Sequence, residues 1–520
     1  MKVFDLIVCS LTVAGAALGT VRWLRVVQRE HYLVGSGLRF AWKWWASGPE
    51  NCLLGIVGLA AVGVSALFPP AAILSGGVAA AAPVRLGLRG RTGRLAWTRR
   101  LTTIAAVTWS IEALVVVAGS IGAGIAGAVF GAALVAMLAP AIVDLALGLT
   151  RPLEELFAAR FVHQATNRLT RVHPLVIGVT GSYGKTTVKG YIAHLVGPYR
   201  TTLPSPKSFN NRGGLARTVN EFLGPATEVL IAEMGTYGPG EIAALCAWLR
   251  PEISVITAIG PAHLERFRTL DTTLAAKAEI AETARVVVLN VDDERLAGLA
   301  PALRAAGKKV IEASGSNELA DVAVLSVDEG LELWIGGRRV GVAAVAPSDQ
   351  PAALSNAACA AAVAVEMDVA PEGVLAGLVS LPVPPNRLQR YLSEAGYVVF
   401  DDTFNSNPTG ARIGLARLRH EPQAAPSARR VVVTPGMVEL GRTQAAENAD
   451  LGEAAARIAD QLVVVARTNR SALAEGARRV TPGAQVITVD RLDQALVWVR
   501  ANLGPGDSVL YENDLPDHFP

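Results

Sequence analysis

Val176-Ile-Gly-Val-Thr-Gly-Ser-Tyr-Gly-Lys-Thr-Thr-Val-Lys189 decides how this chain is read. A β-branched apolar run breaks into a glycine-bearing turn. Gly184-Lys185-Thr186-Thr187 then leads into a helix-compatible stretch containing Tyr191, Ile192 and Leu195. The order is strand, phosphate loop, helix. Glycines let backbone N–H groups close on phosphate oxygens and the helix N-terminus adds partial positive charge. A lysine reaches the terminal phosphates, and a threonine hydroxyl can ligate Mg²⁺. The expected nucleotide contacts are Gly181, Ser182, Tyr183, Gly184, Lys185, Thr186 and Thr187. Where the general pattern has its first glycine this chain has Val179, flanked by Gly178 and Gly181, so the loop is a variant.

Outward from that loop, composition sets bounds. A chain of 520 residues has room for about three or four domains. Hydrophobic residues make up 51% and charged residues 18%, and mean hydropathy is +0.35, which points to membrane segments, mostly before residue 150. A net charge of +3, with no basic stripe interleaved with aromatics, argues against a nucleic-acid partner. Cys9, Cys52, Cys246 and Cys359 have neither metal-ligand spacing nor a disulfide pattern, as expected of a reducing cytoplasm.

Val3 to Val21 is apolar and runs into Arg22, Arg25 and Arg29; a cleaved leader carries its charge before the apolar core, so this reads as a retained helix. Residues 51–68 and 71–84, parted by Pro69-Pro70, read as a hairpin of short spans, and residues 101–121 and 123–148 as two more, for about five in a transmembrane region over 1–150. The loop from Arg22 to Lys43 and the loop bearing Arg85, Arg89, Arg91, Arg94, Arg99 and Arg100 are basic and expected on the cytoplasmic side. That makes a multi-pass protein of the cell membrane, touching membrane lipid, with its N-terminus outside and everything after Arg151 inside. Glu112 falls mid-span, as a functional carboxylate, as a protonated or hydrogen-bonded structural one, or at a misplaced span edge. Residues 151–173 read as an amphipathic linker with Leu153, Leu156, Phe157, Phe161, Val162 and Leu169 on one face, able to lie on lipid.

From residue 172 short apolar strands alternate with Ala- and Leu-rich helical stretches, the pattern of a doubly wound α/β domain. Strand 228–232 ends at Glu233, where a Mg²⁺-ligating acid belongs beside a phosphate loop. Strand 253–259 leads to His263, either facing the ligand crevice or a plain surface histidine. Lys277, on the next Ala-rich helix, by itself reads as a solvated helix residue.

Together these pieces resemble the Mur ligases, which form amide bonds at the expense of ATP in peptidoglycan synthesis. The matching segments are Thr180 to Thr187, Glu233-Met-Gly235, Gly240-Glu-Ile242, His263-Leu-Glu265, Lys277 to Ile280 and Leu289 to Asp293. Ser355-Asn356, Asn386 to Gln389, Asp401 to Pro408 and Gly436 to Gly441 follow in family order. The His-Leu-Glu, Asn-Ser-Asn-Pro and Met-x-Glu-Leu-Gly forms are most similar to the D-alanyl-D-alanine-adding type. The resemblance implies a P-loop central domain with a parallel sheet over 174–383 and a Rossmann-like C-terminal domain over 384–520. It implies two Mg²⁺ ions, ligated by Thr186, Glu233, His263 and Lys277, the last carbamylated by CO₂. Lys185, Lys277 and His263 become the catalytic set. Asn356 would meet adenine, Arg387 would reach ATP from the hinge, and Asp402 would lie on the ribose side; each could instead be helix or loop decoration.

Asn405 and Asn407 are candidate contacts to the incoming amine, or turn residues before Pro408. On the acceptor side Ser208-Phe-Asn-Asn-Arg-Gly-Gly214 supplies Asn210, Asn211 and Arg212, the arginine either meeting an anionic acceptor or standing as a solvated loop charge. The family's soluble domain for the UDP-sugar end is replaced by the apolar helices, so a lipid-linked cell-wall precursor is an expected partner. A poly-γ-glutamate synthase-like ligase and a non-catalytic nucleotide-binding scaffold stay as alternatives, and oligomeric state stays open.

Overall fold

Strand β1 (Leu175–Thr180) is buried from its second residue onward, as a strand covered on both faces must be. The computed structural model describes residues 2–88, 95–347, 349–404, 406–423, 427–515 and 518–519. They divide into two compact units, Met1–Phe157 with Leu515–Pro520, and Ala158–Asp514.

In the second unit β1 lies within a nine-stranded sheet. The strands are β2 (Thr202–Pro204), β3 (Val229–Glu233), β4 (Ile253–Ile256), β5 (Val286–Asn290), β6 (Lys309–Ser314), β7 (Val322–Val327), β8 (Gly330–Ile335) and β9 (Arg338–Ala343). Their order is β2-β3-β1-β4-β5-β6-β7-β8-β9, parallel up to β7 and antiparallel beyond it. On one face Val188, Ile192 and Leu195 of helix Lys185–Val196 join the buried alanines of helix Leu354–Glu366, whose small side chains let it approach the sheet closely. The other face buries Leu215, Ile242, Leu245, Ile280 and Leu296 together with Val162, Ala165 and Leu169. Within the expected linker, then, Val162 and Leu169 pack into a protein core, and Arg168 donates to the carbonyls of Leu223 and Asn220. Leu153, Leu156 and Phe157 stay exposed.

A second sheet holds β10 (Gln389–Leu392), β11 (Val398–Asp402), β12 (Arg430–Thr434), β13 (Gln461–Val465), β14 (Gln485–Val489) and β15 (Ser508–Glu512) in the order β10-β11-β15-β12-β13-β14. All pairs are parallel except the antiparallel edge β10–β11. Strands β10 and β14 are the edges of this sheet, and the Gln-Arg-Tyr-Leu of β10 is exposed at every position. The parallel order places the ends of β11 (Asp402), β12 (Thr434) and β15 (Glu512) side by side.

In the first unit the expected segments 3–21, 51–68, 101–121 and 123–148 lie largely on helices. Among the described residues two helices are long and apolar enough to cross a membrane, Val3–Arg29 and Arg99–Val172, or three if Ser36–Trp45 and Pro49–Ser65, bent by 115°, count as one. Residues 71–84 yield only the ten-residue helix Ala72–Ala81, roughly 15 Å long against the ~30 Å of hydrocarbon. Arg22 ends that helix: its buried guanidinium donates to the carbonyls of Ala79, Ala80, Ala82 and Leu86 at 2.6–2.8 Å. Helix Arg99–Val172 breaks at Ala123 and Gly124, where Gly124 takes φ 60, between the two segments that the sequence separates. The halves fold back so tightly that a Cβ on Gly127 would lie 2.0 Å from the Gly119 carbonyl oxygen. Glu112 is buried and accepts from Thr20 Oγ1 at 2.5 Å. Asp144 accepts from the amides of Gly35, Gly37 and Leu38, capping helix Ser36–Trp45. The chain's last described residues also lie in this unit: Trp44 Nε1 donates to the His518 carbonyl, and Phe519 packs on Phe40. Arg89, Arg91 and Arg94 lie outside the described residues.

Close packing at small residues makes a testable case. A Cβ at Gly15 would stand 2.3 Å from the Gly76 carbonyl oxygen. Gly15→Leu is expected to cost about 1–3 kcal/mol by overpacking. The measurement is thermal unfolding in detergent, with hydrogen exchange of β1 to β6 unchanged.

Candidate active site

The loop after β1 is pinned by its neighbour strand. Ser182 N donates to the Ala258 carbonyl at 2.7 Å, Gly260 N donates to Ser182 Oγ at 3.0 Å, and Thr257 Oγ1 donates to the Tyr183 carbonyl. Two positions require glycine. Gly181 has φ 149, and a Cβ there would meet Thr257 Oγ1 at 2.0 Å; Gly184 has φ 79, and a Cβ there would meet Asn356 Oδ1 at 2.4 Å. Asn356 thus sits against the loop, although helix Leu354–Glu366 follows it by some 170 residues of chain. Lys185 opens helix Lys185–Val196 and its ammonium donates to the Gly181 carbonyl at 2.7 Å.

Glu233, at the end of β3, gathers the next group. Thr186 Oγ1 donates to it at 2.9 Å, Lys189 Nζ at 3.0 Å and Asn210 Nδ2 at 3.2 Å. Burial would raise its carboxyl, but Lys189, Lys185 and these hydrogen bonds hold it below the ordinary range. Asn211, beside Asn210, instead caps helix Arg212–Arg217 through Gly214 N, and Arg212 is exposed. Of the three acceptor-side residues expected from sequence, only Asn210 joins the site.

Lys277 is buried, and among the described residues no hydrogen-bond or ion-pair partner meets its amine. Burial and the neighbouring Lys185 push it well below the ordinary lysine value. Burial likewise lowers Lys185, helped by Arg387 and opposed by Glu233. Lys185 thus feels both Lys277 and Arg387, while Glu233 acts on Lys185 and Arg387 and Asp402 acts on Arg387. His263 has φ 59; its Nδ1 faces Glu439 Oε2 and its ring stands edge-on to Tyr237. Among the described residues no group of three or more His, Cys, Asp or Glu is assembled for a metal. The Thr186–Glu233 pair fits Mg²⁺ nonetheless, since that ion takes one or two protein oxygens and completes its shell with phosphate and water.

A cavity of about 510 Å³ opens beside the loop, lined by Tyr183, Gly184, Thr187 and Asn356 on one side and Arg387, Asp402 and Asn407 on the other. Asn290, which donates to the Thr257 carbonyl at 2.8 Å, lines it too. Arg387 lies over the Phe404 ring at 4.2 Å. Asp402 accepts from Leu388 N at 3.1 Å, and burial, only partly offset by Arg387, raises its carboxyl to about 6. Asn407 caps helix Pro408–His420 by accepting from Gly410 N at 2.8 Å, so the turn-residue reading holds for it while it also faces the cavity. Asn405 lies outside the described residues.

A phosphate loop, a strand-end carboxylate and a buried lysine in one α/β unit recur in known proteins. The family described as Mur ligase middle domain matches residues 179–364, and the one described as Mur ligase, glutamate ligase domain matches residues 386–511. A UDP-N-acetylmuramoyl-tripeptide–D-alanyl-D-alanine ligase of Mycobacterium tuberculosis is 34% identical over 362 residues, 64% of this chain and 69% of that protein. The chain belongs to the Mur ligase family. The Bacillus subtilis ligase of the same name is 27% identical over 342 residues, covering 65% and 72%. In fold, this Mur ligase is similar to MurF of Thermotoga maritima solved with ADP, at TM-score 0.59 and 22% identity, covering 69% of this chain and 80% of that one. MurF of Acinetobacter baumannii gives 0.57 and 23%, covering 69% and 77%. As a member of the family, the chain is an ATP-dependent, ADP-forming amide ligase.

Sequence reasoning missed Lys189, Thr257 and Glu439. Lys189 is one helical turn after Lys185, a spacing that puts both on the loop-facing side. Glu439 lay within a quoted motif but received no partner, because its contact comes from a distant segment.

Two outcomes follow for this ligase. Gly184→Ala strains a left-handed backbone position by about 1–2 kcal/mol and crowds Asn356, so nucleotide affinity by calorimetry is expected to fall at least ~10-fold. Asp402 binds its proton more tightly folded than unfolded. Its protonated form supports stability below about 3.8, and that contribution is lost as pH rises to about 6, on the order of 2–3 kcal/mol. Asp402→Asn is expected to flatten this loss, measured as the pH dependence of β11 amide exchange between pH 4 and 6.5.

Proposed function

We propose that this ligase joins D-alanyl-D-alanine to the terminal carboxylate of a muramoyl-tripeptide precursor of peptidoglycan, with ATP activating that carboxylate. The observation that carries the reading is the convergence of Lys185, Lys277 and Arg387 beside Glu233. Lys277 is buried and Lys185 and Arg387 are half-buried; like charges so placed repel one another, and a polyphosphate resolves that repulsion. The 34% identity to a UDP-N-acetylmuramoyl-tripeptide–D-alanyl-D-alanine ligase supports the choice of amine.

Lys185 would neutralise the terminal phosphates and Arg387 would approach ATP from the C-terminal domain. Asn356 and Asp402 would take the nucleoside end, one at the phosphate loop and one across the cavity. Thr186 and Glu233 would hold Mg²⁺, which when bound supplies charge neutralisation to the transferring phosphoryl group. His263 would contribute to a second ion. Lys277 suits a carbamate. Carbamylation needs a neutral amine, which its burial and Lys185 favour, and the resulting carboxylate-like group supplies negative charge among cations. The acceptor would be bound at a membrane surface in lipid-linked form. The apolar unit that precedes the matched region, with Leu6, Ile7, Leu53, Ile56, Leu59 and Leu114 exposed, supports this. Both sheet domains would then be cytoplasmic.

The test is mass spectrometry of products from detergent-purified protein with ATP and Mg²⁺. UDP-linked and lipid-linked tripeptides are offered with D-alanyl-D-alanine or glutamate. Addition of the dipeptide is expected, faster on the lipid-linked acceptor and reduced by on the order of 10²–10³ in Lys185→Ala. Glutamate addition would favour the poly-γ-glutamate type, and nucleotide binding without product would favour a scaffold. Activity is also expected to fall in CO₂-depleted buffer and return with bicarbonate, with a ¹³C-carbamate resonance that Lys277→Arg abolishes.

A further inference from the structure

We propose that Glu512 and Asn513, at the end of β15, are positioning residues of the ligase, clamping together the C-terminal-domain segment that lines the cavity and the one that meets His263. The proposal rests on the ligase reading for its kinetic test only.

Glu512 is fully buried. One carboxyl oxygen accepts from the Ser406 hydroxyl and the other from Thr434 Oγ1 at 3.2 Å, while the Thr434 hydroxyl accepts from Gly436 N at 2.9 Å. Asn513, in a left-handed conformation at φ 70, repeats the pattern. Its Oδ1 accepts from Ser406 N at 3.3 Å, its Nδ2 donates to the Gly436 carbonyl at 2.7 Å, and its amide donates to the Asp402 carbonyl at 3.0 Å. Both side chains therefore bond the same two segments, at Ser406 and at Thr434–Gly436.

Those segments end at the site. Ser406 precedes Asn407, which lines the cavity and caps helix Pro408–His420. Gly436 leads to Glu439, whose carboxylate faces His263 and whose carbonyl accepts from Glu265 N at 3.3 Å. A buried carboxyl whose bonds come from hydroxyls, not from a cation, costs more than an apolar side chain would. What a carboxyl adds is two acceptors at fixed separation, each engaging a different segment. The neighbouring strand ends supply the geometry, since β15 lies between β11 and β12. A clamp here sets the pose of Asn407 relative to Glu439, and so the pose in which the C-terminal domain meets His263.

The test is a double-mutant cycle with a structural probe that needs no substrate. Glu512→Gln and Glu439→Gln are each expected to lower kcat about tenfold, and the double variant to be no more than about twofold worse than the worse single one. Effects that multiply to roughly a hundredfold would overturn the clamp. In the full-length protein, hydrogen exchange at the Glu265 amide is expected to quicken at least ~5-fold in Glu512→Gln, with β13 amides unchanged. Unchanged exchange at Glu265 would refute the clamp even if the acceptor has been misassigned and no product forms. Should Glu512→Gln not fold, Asn513→Ala leaves the carboxyl in place and is expected to give the same quickening at Glu265; its absence there would equally overturn the proposal.

Discussion

A carboxylate buried at the end of a parallel strand must be paired, and the site is built around how Glu233 is paired. Thr186 and Lys189 reach it from the helix that follows the phosphate loop, and Asn210 reaches it from the segment after β2. Those contacts require β3 and β1 to be neighbours in register, with Val179 opposite Glu233. They also require the loop to turn within hydrogen-bonding distance of β4, which only glycine at positions 181 and 184 allows. Sheet order, loop geometry and site electrostatics are thus one constraint. The parallel strands bring their carboxyl ends together, and the polar residues placed there pair with one another.

Charge balance explains the rest of the cleft. Lys185, Lys277 and Arg387 are each driven toward their neutral forms by burial, opposed by Glu233 at Lys185 and by Asp402 and Glu233 at Arg387. A protein selected for stability alone would not collect cations in this way; a protein that binds a polyanion gains from it. Asp402 shows the same tension with opposite sign, its carboxyl raised while it faces the cavity. The stability lost at these positions marks where ligand binding energy is delivered.

The helical unit follows a different logic. Its polar side chains are spent on backbone: Arg22 on the carbonyls ending helix Ala72–Ala81, Asp144 on the amides starting helix Ser36–Trp45. Apolar surroundings leave such groups no solvent partner, so each helix end needs a side chain sent to it. Glycine-to-backbone contacts between helices do the remaining work of holding them close.

The sequence by itself determined the elements whose chemistry is local. A β-branched run before Gly-Lys-Thr-Thr fixes strand, loop and helix, and the ordered motifs fix the family, because backbone conformation and phosphate chemistry both act over a few residues. It located the apolar segments and the break near Gly124, but the shortness of helix Ala72–Ala81, whose end carbonyls are taken by Arg22, comes from a contact with a distant helix. It did not separate Asn210 from Asn211, although one binds Glu233 and the other caps a helix, and of its two readings of Arg212 the exposed position fits the solvated loop charge. Only tertiary structure could pair His263 with Glu439, set Lys277 beside Lys185, or bring Ser406, Thr434 and Glu512 to one point. Those relations join residues far apart in the chain, and strand order, which local sequence does not encode, is what makes them neighbours.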